Sequence, residues 1–455
     1  MFLEKEKIEL LEKHIKGRES REAFYELASI IAYDGNIDTK TIKKLFEIYN
    51  RSKYEQKLKI DLEREKEVEF LGRLRGWKVD NNRIIAKIGN SLKVEIPLSM
   101  FEDADADEIF DSLNKLIYMK IKKVKRRRGY RITVDELEVY ETDCDVEAAK
   151  KIIEKEHPIK VLVEALGFNF NYYTFRANLP RIIALFKVPV DPYASSAIHI
   201  VQFTIPATGK STTMYKLSNI LNLEVVSGGL PSSAKLIYNA SSQEFGLVFT
   251  RDYIVIDEFD KSLNSKSEAY DFFSKIEMGM ANGKWTREKY TKRHISEIRK
   301  DTTLIFFGNL EGKLLSEAPN TRMYLRKFLE QKLESEAVPH AFIDRLVIID
   351  IYDKEPLIRM THNKVVIGSV LKGLFALLNE RANEIETKDF DLHGRLVLYA
   401  RQVYKVLRAL QIDESLAYEF AKNLVLGEKR VEELYQEAYK QITGQEPEKQ
   451  WDVEI

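Results

Sequence analysis

The residues best suited to chemistry lie in polar segments that directly follow apolar runs. In HIVQFTIPATGKSTT the apolar residues predict a buried strand that ends at Pro206, and Gly209-Lys210-Ser211 then opens a helix. Unpaired backbone N–H groups at a helix N-terminus, together with a lysine, are suited to binding the β- and γ-phosphates of a nucleotide. The segment therefore predicts an ATP site. Its candidate cofactor-binding residues are Thr208, Gly209, Lys210, Ser211 and Thr212.

A second segment supplies the carboxylates that such a site needs. The apolar residues YIVI predict another strand, which ends at Asp257-Glu258. Ser211 and Asp257 are the candidate metal ligands for Mg2+, and Glu258 is the candidate to polarise the attacking water. The run DTTLIFFGN places Asn309 where a sensor of the γ-phosphate would lie. Alternatively, GKST could be a helix cap and DE the end of a strand. However, GKST after a strand, followed about fifty residues later by an apolar strand that ends in DE, is a specific combination.

The order of these segments predicts the fold. Strands that alternate with helices imply a parallel sheet with its site at the carboxyl ends of the strands. The order of phosphate loop, acidic strand, asparagine strand and then Arg345 is that of an AAA+ module, in which the arginine serves a neighbouring subunit. The expected fold class is α/β, an AAA+ P-loop ATPase with a helical lid, preceded by a small helical domain and a β-rich domain such as an OB fold. The predicted domains are 1–66, N-terminal helical; 67–145, β-rich and nucleic-acid-binding; 146–360, the ATPase core; and 361–455, the lid and C-terminal tail.

Several stretches resemble the ATPase core of the BrxL family, the Lon-like AAA+ proteins of BREX phage-defence systems. They are VVSGGLPSSAKLIYNASSQEFGLVFTRDYIVIDEFDKS, GMANGKWTREK, DTTLIFFGNL and AFIDRLVIIDIYD, and the resemblance continues upstream through HPIKVLVEALGFNFNYYTFRANLPRIIALFKVPVD. IDEFDK is also similar to the acidic strand of MCM replicative helicases, and LYARQVYKVLRAL resembles their sensor-2 helix, which makes Arg401 the sensor-2 candidate. The resemblance implies ATP hydrolysis by a homo-oligomeric ring, expected to be hexameric, that binds DNA and works with other defence-system proteins. The candidate catalytic residues are Glu258, Asp257, Asn309, Arg345 and Arg401.

The chain departs from the family pattern in two ways. The family has glycines at the positions of Thr204 and Ala207, and a Cβ at these positions restricts the backbone where the loop must curl around phosphate. The residues after the predicted lid are too few for a Lon-protease-like domain, so no protease activity is expected.

Two basic segments with flanking aromatic residues are candidates for DNA contact. IYMKIKKVKRRRGYRITVDELEVY predicts a hairpin with its tip at Arg126–Gly129, suited to following phosphates without reading sequence. KWTREKYTKRHISEIRK lies between the acidic and asparagine strands, where MCM-type modules carry a hairpin that grips DNA in the pore. A solvated hairpin balanced by the acidic FEDADADE is the other interpretation of the first segment. The candidate DNA-binding residues are Lys120, Lys122, Lys123, Lys125, Arg126, Arg127, Arg128, Lys292 and Arg293.

Composition limits the remaining classes. The 455 residues carry 72 Lys plus Arg and 72 Asp plus Glu, so any basic surface must be local. The single cysteine, Cys144, excludes an intramolecular disulfide and a zinc cluster. No signal peptide and no apolar run of about eighteen residues is present, which predicts a cytoplasmic protein without a membrane partner.

Three functions fit these observations. The favoured one is a ring ATPase that couples ATP binding and hydrolysis to DNA engagement or translocation, in phage defence or on a mobile element. An MCM-like replicative helicase of a plasmid or virus is the second, although no cysteine cluster for zinc is present. The third is a scaffold that binds nucleotide without hydrolysing it, which the substitutions at Thr204 and Ala207 suggest.

Overall fold

The computed structural model describes most of the chain between residues 39 and 447. The residues outside the description in this range are 53, 75, 81, 90, 102–108, 110–111, 114–115, 128, 141–143, 219, 240–243, 264, 287–296, 335–338 and 355–366. The helices predicted before residue 39, and the candidate DNA contacts Arg128, Lys292 and Arg293, therefore lie outside the described residues.

The N-terminal part of the description is two helices followed by a mixed sheet. The helices are α1, Thr39–Ser52, and α2, Glu55–Arg64. The strands are β1, Glu67–Gly72; β2, Gly76–Asp80; β3, Arg83–Ile88; β4, Leu92–Pro97; β5, Leu116–Lys125; and β6, Tyr130–Tyr140. These six described strands lie in the order β1-β5-β6-β4-β3-β2, and β4 with β6 is the parallel pair. Alternate residues of β3 are buried, as expected for a sheet that packs one face on a core.

A parallel sheet forms the centre of the remaining chain. Its strands are β7, Ile200–Thr204; β8, Leu223–Val226; β11, Tyr253–Ile256; β14, Thr303–Asn309; and β15, Ile348–Tyr352. They lie in the order β15-β7-β14-β11-β8, and each neighbouring pair is parallel. The α/β fold class with a parallel sheet is thus confirmed. The order sets the carboxyl end of β14 between those of β7 and β11.

Helices and short hairpins surround this sheet. The helices are α3, Val146–Ile153; α4, Pro158–Ala165; α5, Tyr172–Ile183; α6, Lys210–Leu217; α7, Ser233–Leu236; α8, Leu247–Thr250; α9, Lys266–Asn282; α10, Gly312–Glu317; α11, Thr321–Leu333; α12, His340–Ile343; α13, Gly368–Glu384; α14, Arg395–Ala409; α15, Glu414–Leu426; and α16, Val431–Thr443. The short strands are β9, Tyr238–Asn239; β10, Glu244–Phe245; β12, Lys284–Thr286; and β13, Glu297–Arg299. No helix in the described ranges is both long and apolar enough to cross a membrane.

Both faces of the parallel sheet are buried, which explains why its strands read as continuous apolar runs. Val255 of β11 packs into a core shared with α4, α5 and the C-terminal helices. Its neighbours Ile254 and Ile256 pack into a second core with α9 and α11 on the opposite face. Successive strand residues point to opposite faces, so apolar residues are favoured on both faces of these strands. Because both faces are buried, each strand ends where its apolar run ends and a polar segment begins.

A buried histidine joins β7 to its surroundings and gives a testable pH dependence. His199 Nδ1 accepts from the backbone N–H of Leu304 at 3.0 Å, so its Nε2–H donates to Met280 O at 3.2 Å. Burial lowers the pKa of His199 to about 4. Because the folded pKa lies below the unfolded value of about 6.5, its contribution to stability is complete above pH 6.5 and is lost as the pH falls towards 4.

We expect the unfolding temperature to fall more steeply between pH 7 and 5 in the wild type than in His199→Asn. Asparagine retains an acceptor for Leu304 N but cannot take up a proton in this range. Thermal denaturation followed by circular dichroism at several pH values measures the difference. Parallel pH profiles for the two proteins would contradict this role of His199.

Candidate nucleotide-binding site

The phosphate loop joins β7 to α6, as the sequence predicts. Gly209 is the N-cap of α6 with φ of +69°, a left-handed conformation that favours glycine. A Cβ at this position would lie 2.8 Å from the ring of Phe168. Both the backbone angle and this close approach therefore require glycine. Thr212 lies exposed on the first turn of α6 and makes no side-chain hydrogen bond within the described ranges.

Two non-glycine residues of the loop, Ala207 and Thr204, behave differently. Ala207 is exposed and has φ of +64°, so the loop holds an alanine in a strained conformation. Thr204 is fully buried, and its hydroxyl lies 2.8 Å from the hydroxyl of Thr208. The threonine thus replaces the freedom of a glycine with a hydrogen bond across the base of the loop.

Lys210 begins α6 and points to the end of β14. Its Nζ donates to Gly308 O at 2.9 Å and to Asn309 Oδ1 at 3.2 Å. Burial, followed by the nearby positive charge of Arg181, lowers the pKa of Lys210 to about 8. A lysine with a depressed pKa in a polar cleft is a feature of functional sites.

The two candidate metal ligands are brought together. Ser211 Oγ donates to Asp257 Oδ2 at 2.5 Å, across the gap between α6 and the end of β11. Asp257 is buried, and its other oxygen accepts from Glu258 N at 3.0 Å. Within the described part of the chain, no group of three or more His, Cys, Asp or Glu residues could hold a metal alone. A hydroxyl and one carboxylate fit Mg2+, which takes its other oxygens from phosphate and water.

Glu258 occupies a turn beyond the end of β11. Its backbone φ is +54°, a conformation that turns the side chain away from the strand direction. The side chain is 42% exposed, and Oε1 lies 2.5 Å from Lys261 Nζ. The carboxylate is therefore accessible, close to Asp257, and held by a lysine on the following turn.

Asp260 is a residue of this cluster that the sequence analysis did not single out. Its Oδ1 accepts from Asn309 N at 3.0 Å, and its Oδ2 accepts from Asn309 Nδ2 at 3.1 Å. These bonds leave Asn309 Oδ1 facing Lys210. Asp260 thus fixes the orientation of the candidate sensor. The signal available in the sequence was the last acid of DEFD, which sits one turn beyond Asp257.

The two candidate arginines lie away from this cluster. Arg345 precedes β15, whose first residue pairs with Ile200 at the start of β7. A five-residue strand spans about 17 Å, so Arg345 and Lys210 lie at opposite edges of the same sheet. Arg345 donates to Ala341 O. Arg401 lies on α14 and bonds to Asp389 Oδ1 at 2.8 Å. Neither arginine has a hydrogen bond to the phosphate loop among the described contacts.

The predicted basic hairpin is formed by β5 and β6, and most of its cations are paired. Arg126 N donates to Gly129 O at 2.9 Å across the tip. Lys120 pairs with Glu136, and Lys122 pairs with Asp135. These contacts show that the positive charge on the stem of the hairpin is largely balanced.

Near the tip of the hairpin the positive charge is less completely balanced. Arg126 still has a partner, since its Nη2 lies 3.3 Å from Glu95 Oε2. Lys123 lies 4.5 Å from the ring centre of Tyr130, which is 63% exposed. Lys125 and Arg127 are exposed, and the described contacts give them no ion pair. The cations available to an outside anion are therefore concentrated near the tip.

The second basic segment has an antiparallel base. β12 pairs with β13, and Trp285 of β12 is buried, with its indole N–H donating to Lys300 O at 2.9 Å. Lys300, the last residue of this segment, has its Nζ 3.0 Å from Asp252 Oδ1 and donates to Phe249 O at 3.2 Å. The ring centre of Phe249 in turn lies 6.5 Å from that of Trp77 in the N-terminal sheet. The base of this hairpin is thus anchored at the start of β11.

Comparison with known proteins agrees with this geometry. Residues 132–354 match the family model described as "Lon-like protease BrxL-like, ATPase domain". "Uncharacterized protein 440" of Sulfolobus islandicus rod-shaped virus 1 is 26% identical over 402 residues, which cover 85% of this chain and 87% of the viral protein. "Uncharacterized protein ORF426" of Acidianus filamentous virus 1 is 23% identical over 399 residues, covering 83% and 89%. The cluster of Lys210, Ser211, Asp257 and Asn309 lies within the matched segment, and residues 132–354 of this chain therefore belong to the BrxL-like family of ATPase domains.

Proposed function

We propose that this protein hydrolyses ATP with Mg2+ and couples hydrolysis to its engagement with DNA. The observation that carries the proposal is the polar cluster at the carboxyl edge of the sheet. There Lys210 contacts Asn309, and Ser211 contacts Asp257. These are the side chains that phosphoryl transfer requires around a triphosphate.

The roles of the residues follow from their positions. The N–H groups at the start of α6 and the Lys210 ammonium would bind the β- and γ-phosphates. Glu258, exposed beside Asp257, would orient the attacking water. Asn309, fixed by Asp260, would hold the γ-phosphate side of the site. Bound Mg2+, held through Ser211 and Asp257, would neutralise charge that develops on the phosphate oxygens.

The position of Arg345 supports assembly into a ring. A cation at the amino edge of the sheet cannot reach a triphosphate at the carboxyl edge of its own subunit, about 17 Å away along the strand. It can reach one bound to an adjacent copy. In a homo-oligomeric ring, with six subunits as the expected number, Arg345 would lie near the nucleotide of the adjacent subunit.

DNA engagement would use the tip of the β5–β6 hairpin. Lys125 and Arg127 are exposed there beside Lys123 and Tyr130, a combination suited to phosphate contact and base stacking. The paired cations Lys120 and Lys122 would contribute less, because Glu136 and Asp135 already balance them.

The biological setting that the comparisons favour is a mobile element. The similar proteins are encoded by archaeal viruses and match this chain over most of its length. A motor acting on the DNA of a mobile element fits this distribution better than one acting with other defence-system proteins. The hairpin base formed by β12 and β13 makes an MCM-like helicase the second candidate, since MCM-type modules carry a pore hairpin at the same point.

Phosphate release with and without DNA tests the proposal. We expect DNA to stimulate release, and Lys125→Glu with Arg127→Glu to reduce this stimulation at least about fivefold at moderate salt while leaving basal release unchanged. Lys66→Glu with Lys93→Glu is the matched control, because both lysines are exposed near the same sheet and the charge change is equal. Unwinding of a forked duplex would favour the helicase. Bound ATP with no phosphate release would favour the nucleotide-gated scaffold.

The depressed pKa of Lys210 gives a further expectation. In the protein without nucleotide the pKa of Lys210 is about 8, and phosphate binding favours the charged form of this side chain. ATP affinity should therefore be complete below pH 8 and should fall by up to about tenfold per unit as the pH rises above it. Titration with a fluorescent ATP analogue from pH 7.5 to 9.5 measures this slope. Lys210→Arg is the control, since its charge does not titrate in this range, and an equal slope in that variant would contradict the assignment.

A further inference from the structure

A fully buried arginine lies directly beneath the phosphate loop. Arg181 of α5 is 0% exposed. Its Nη1 donates to the backbone oxygen of Thr208 at 3.3 Å and to Asn178 Oδ1 at 3.0 Å. Its Nε donates to Gln202 Oε1 at 2.8 Å, on the strand that leads into the loop. Burying a charge is costly unless hydrogen bonds compensate its lost hydration, and these three hydrogen bonds supply part of that compensation.

A chain of buried polar contacts holds Arg181 in place. Gln202 Nε2 donates to Asp350 Oδ2 at 2.9 Å, and Asp350 Oδ1 accepts from Arg176 Nη1 at 2.9 Å. Arg176 also donates to Glu432 Oε2 of α16 at 2.9 Å. The loop is thus connected through Arg181 to the central sheet and to a C-terminal helix. Nη2 of Arg181 has no partner among the described atoms.

The loop needs outside support because of its composition. Ala207 has φ of +64°, and Thr204 stands where the general pattern G-x-x-x-x-G-K-[ST] has its first glycine. A strained backbone persists only where its surroundings fix it. The hydrogen bond from Arg181 fixes the carbonyl of Thr208, the residue that follows Ala207. The positive charge of Arg181 also acts on Lys210 and contributes to its lowered pKa, so it lies close to where phosphate would bind.

We propose that Arg181 is a positioning residue that holds the glycine-poor phosphate loop in its nucleotide-binding conformation. It acts from below the loop, through the carbonyl of Thr208, and does not touch the nucleotide. This inference rests on the proposed function, since it describes how this chain prepares its ATP site.

The test is a double-mutant cycle between Arg181→Lys and Ala207→Gly, read as ATP affinity in the full chain. Lysine preserves the charge but lacks the fork that contacts Thr208, Asn178 and Gln202 together. We expect Arg181→Lys to raise the Kd for a fluorescent ATP analogue about tenfold. Ala207→Gly relieves the strain at φ of +64° and should restore at least threefold of that loss.

Arg176→Lys is the matched control. It lies on the same helix and in the same buried chain, bonded to Asp350 and Glu432, but it has no contact with the loop. We expect a lower melting temperature with a Kd within about twofold of the wild type. If Arg181→Lys does not fold, Asn178→Ala replaces it, because this change removes an acceptor of the same Nη1, and an increase in Kd of about threefold is expected.

Two results would overturn the inference. One is an unchanged Kd in Arg181→Lys, or in Asn178→Ala where that replaces it. The other is an equal effect of Ala207→Gly with and without the change at Arg181, since the two positions would then be independent. ATP binding by the wild type separates this failure from failure of the proposed function. Wild-type protein that binds no ATP refutes both.

Discussion

Glu258→Gln is expected to lower kcat for ATP hydrolysis by about 100-fold or more while leaving the Kd for ATP within about twofold. Glutamine has nearly the same shape but cannot accept a proton from the attacking water. The side chain is partly exposed at the end of β11, so the change removes no packing. Single-turnover phosphate release, compared with equilibrium binding of a fluorescent ATP analogue, separates the two quantities.

Lys261→Gln is the control for this prediction. It removes the ammonium 2.5 Å from Glu258 but leaves the carboxylate in place. We expect kcat to change only a few fold. A fall in Lys261→Gln as large as that in Glu258→Gln would show that the ion pair, and not the base, limits the rate. Normal turnover in Glu258→Gln would remove this residue from the reaction.

Lys210→Ala is expected to weaken ATP binding about 100-fold. A charge-assisted hydrogen bond contributes about 1.5–3 kcal/mol, and each 1.4 kcal/mol corresponds to a tenfold change in Kd. The variant also loses the contacts of Nζ with Gly308 O and Asn309 Oδ1, which join α6 to the end of β14. Equilibrium titration with nucleotide measures the effect.

Lys313→Ala serves as the matched control for Lys210→Ala. The lysine is exposed at the start of α10, shortly after β14, and the same side chain is lost. Its Kd should equal that of the wild type. Tight binding by Lys210→Ala would place the phosphates elsewhere. Loss of the melting transition in that variant would instead assign Lys210 a structural role.

Local patterns predict which residues meet at the carboxyl edge of the sheet. Apolar runs define β7, β11 and β14, and the polar residues that follow each run lie at the carboxyl edge of the sheet. Lys210 and Ser211 follow β7 and Asp257 follows β11, so their place in the chain sets them at the same edge of the sheet, where Ser211 contacts Asp257. The parallel sheet and the BrxL-like ATPase domain are both found.

Partners that depend on strand order could not be deduced in the same way. Asp260 reaches Asn309 because β14 lies beside β11, an order that no run of residues specifies. Arg181 follows the same rule, since α5 must pack beneath the loop before its side chain can reach Thr208. In the sequence it is one of two arginines in α5, and no local pattern distinguishes it from Arg176.

Charge balance on the basic hairpin depends on register. The register shifts between Lys120 and Ile121, and Asp135 is the residue of β6 that this shift leaves without a register partner. Its carboxylate pairs with Lys122. Glu95 comes from β4, on the other side of β6, and pairs with Arg126. Composition alone counts these cations as available, whereas the cross-strand neighbours neutralise them.

The anchoring of Lys300 has a mechanical consequence. Asp252 immediately precedes β11, and the strand runs from there directly to Asp257 and Glu258. β11 is hydrogen-bonded to β14 on one side and to β8 on the other, so its length changes little when a force acts along it. A force on the hairpin base would therefore be transmitted along β11 to Asp257 and Glu258. A movement of these two acids would be transmitted back to the hairpin base. β11 would thus couple the position of the β12–β13 base to the positions of Asp257 and Glu258.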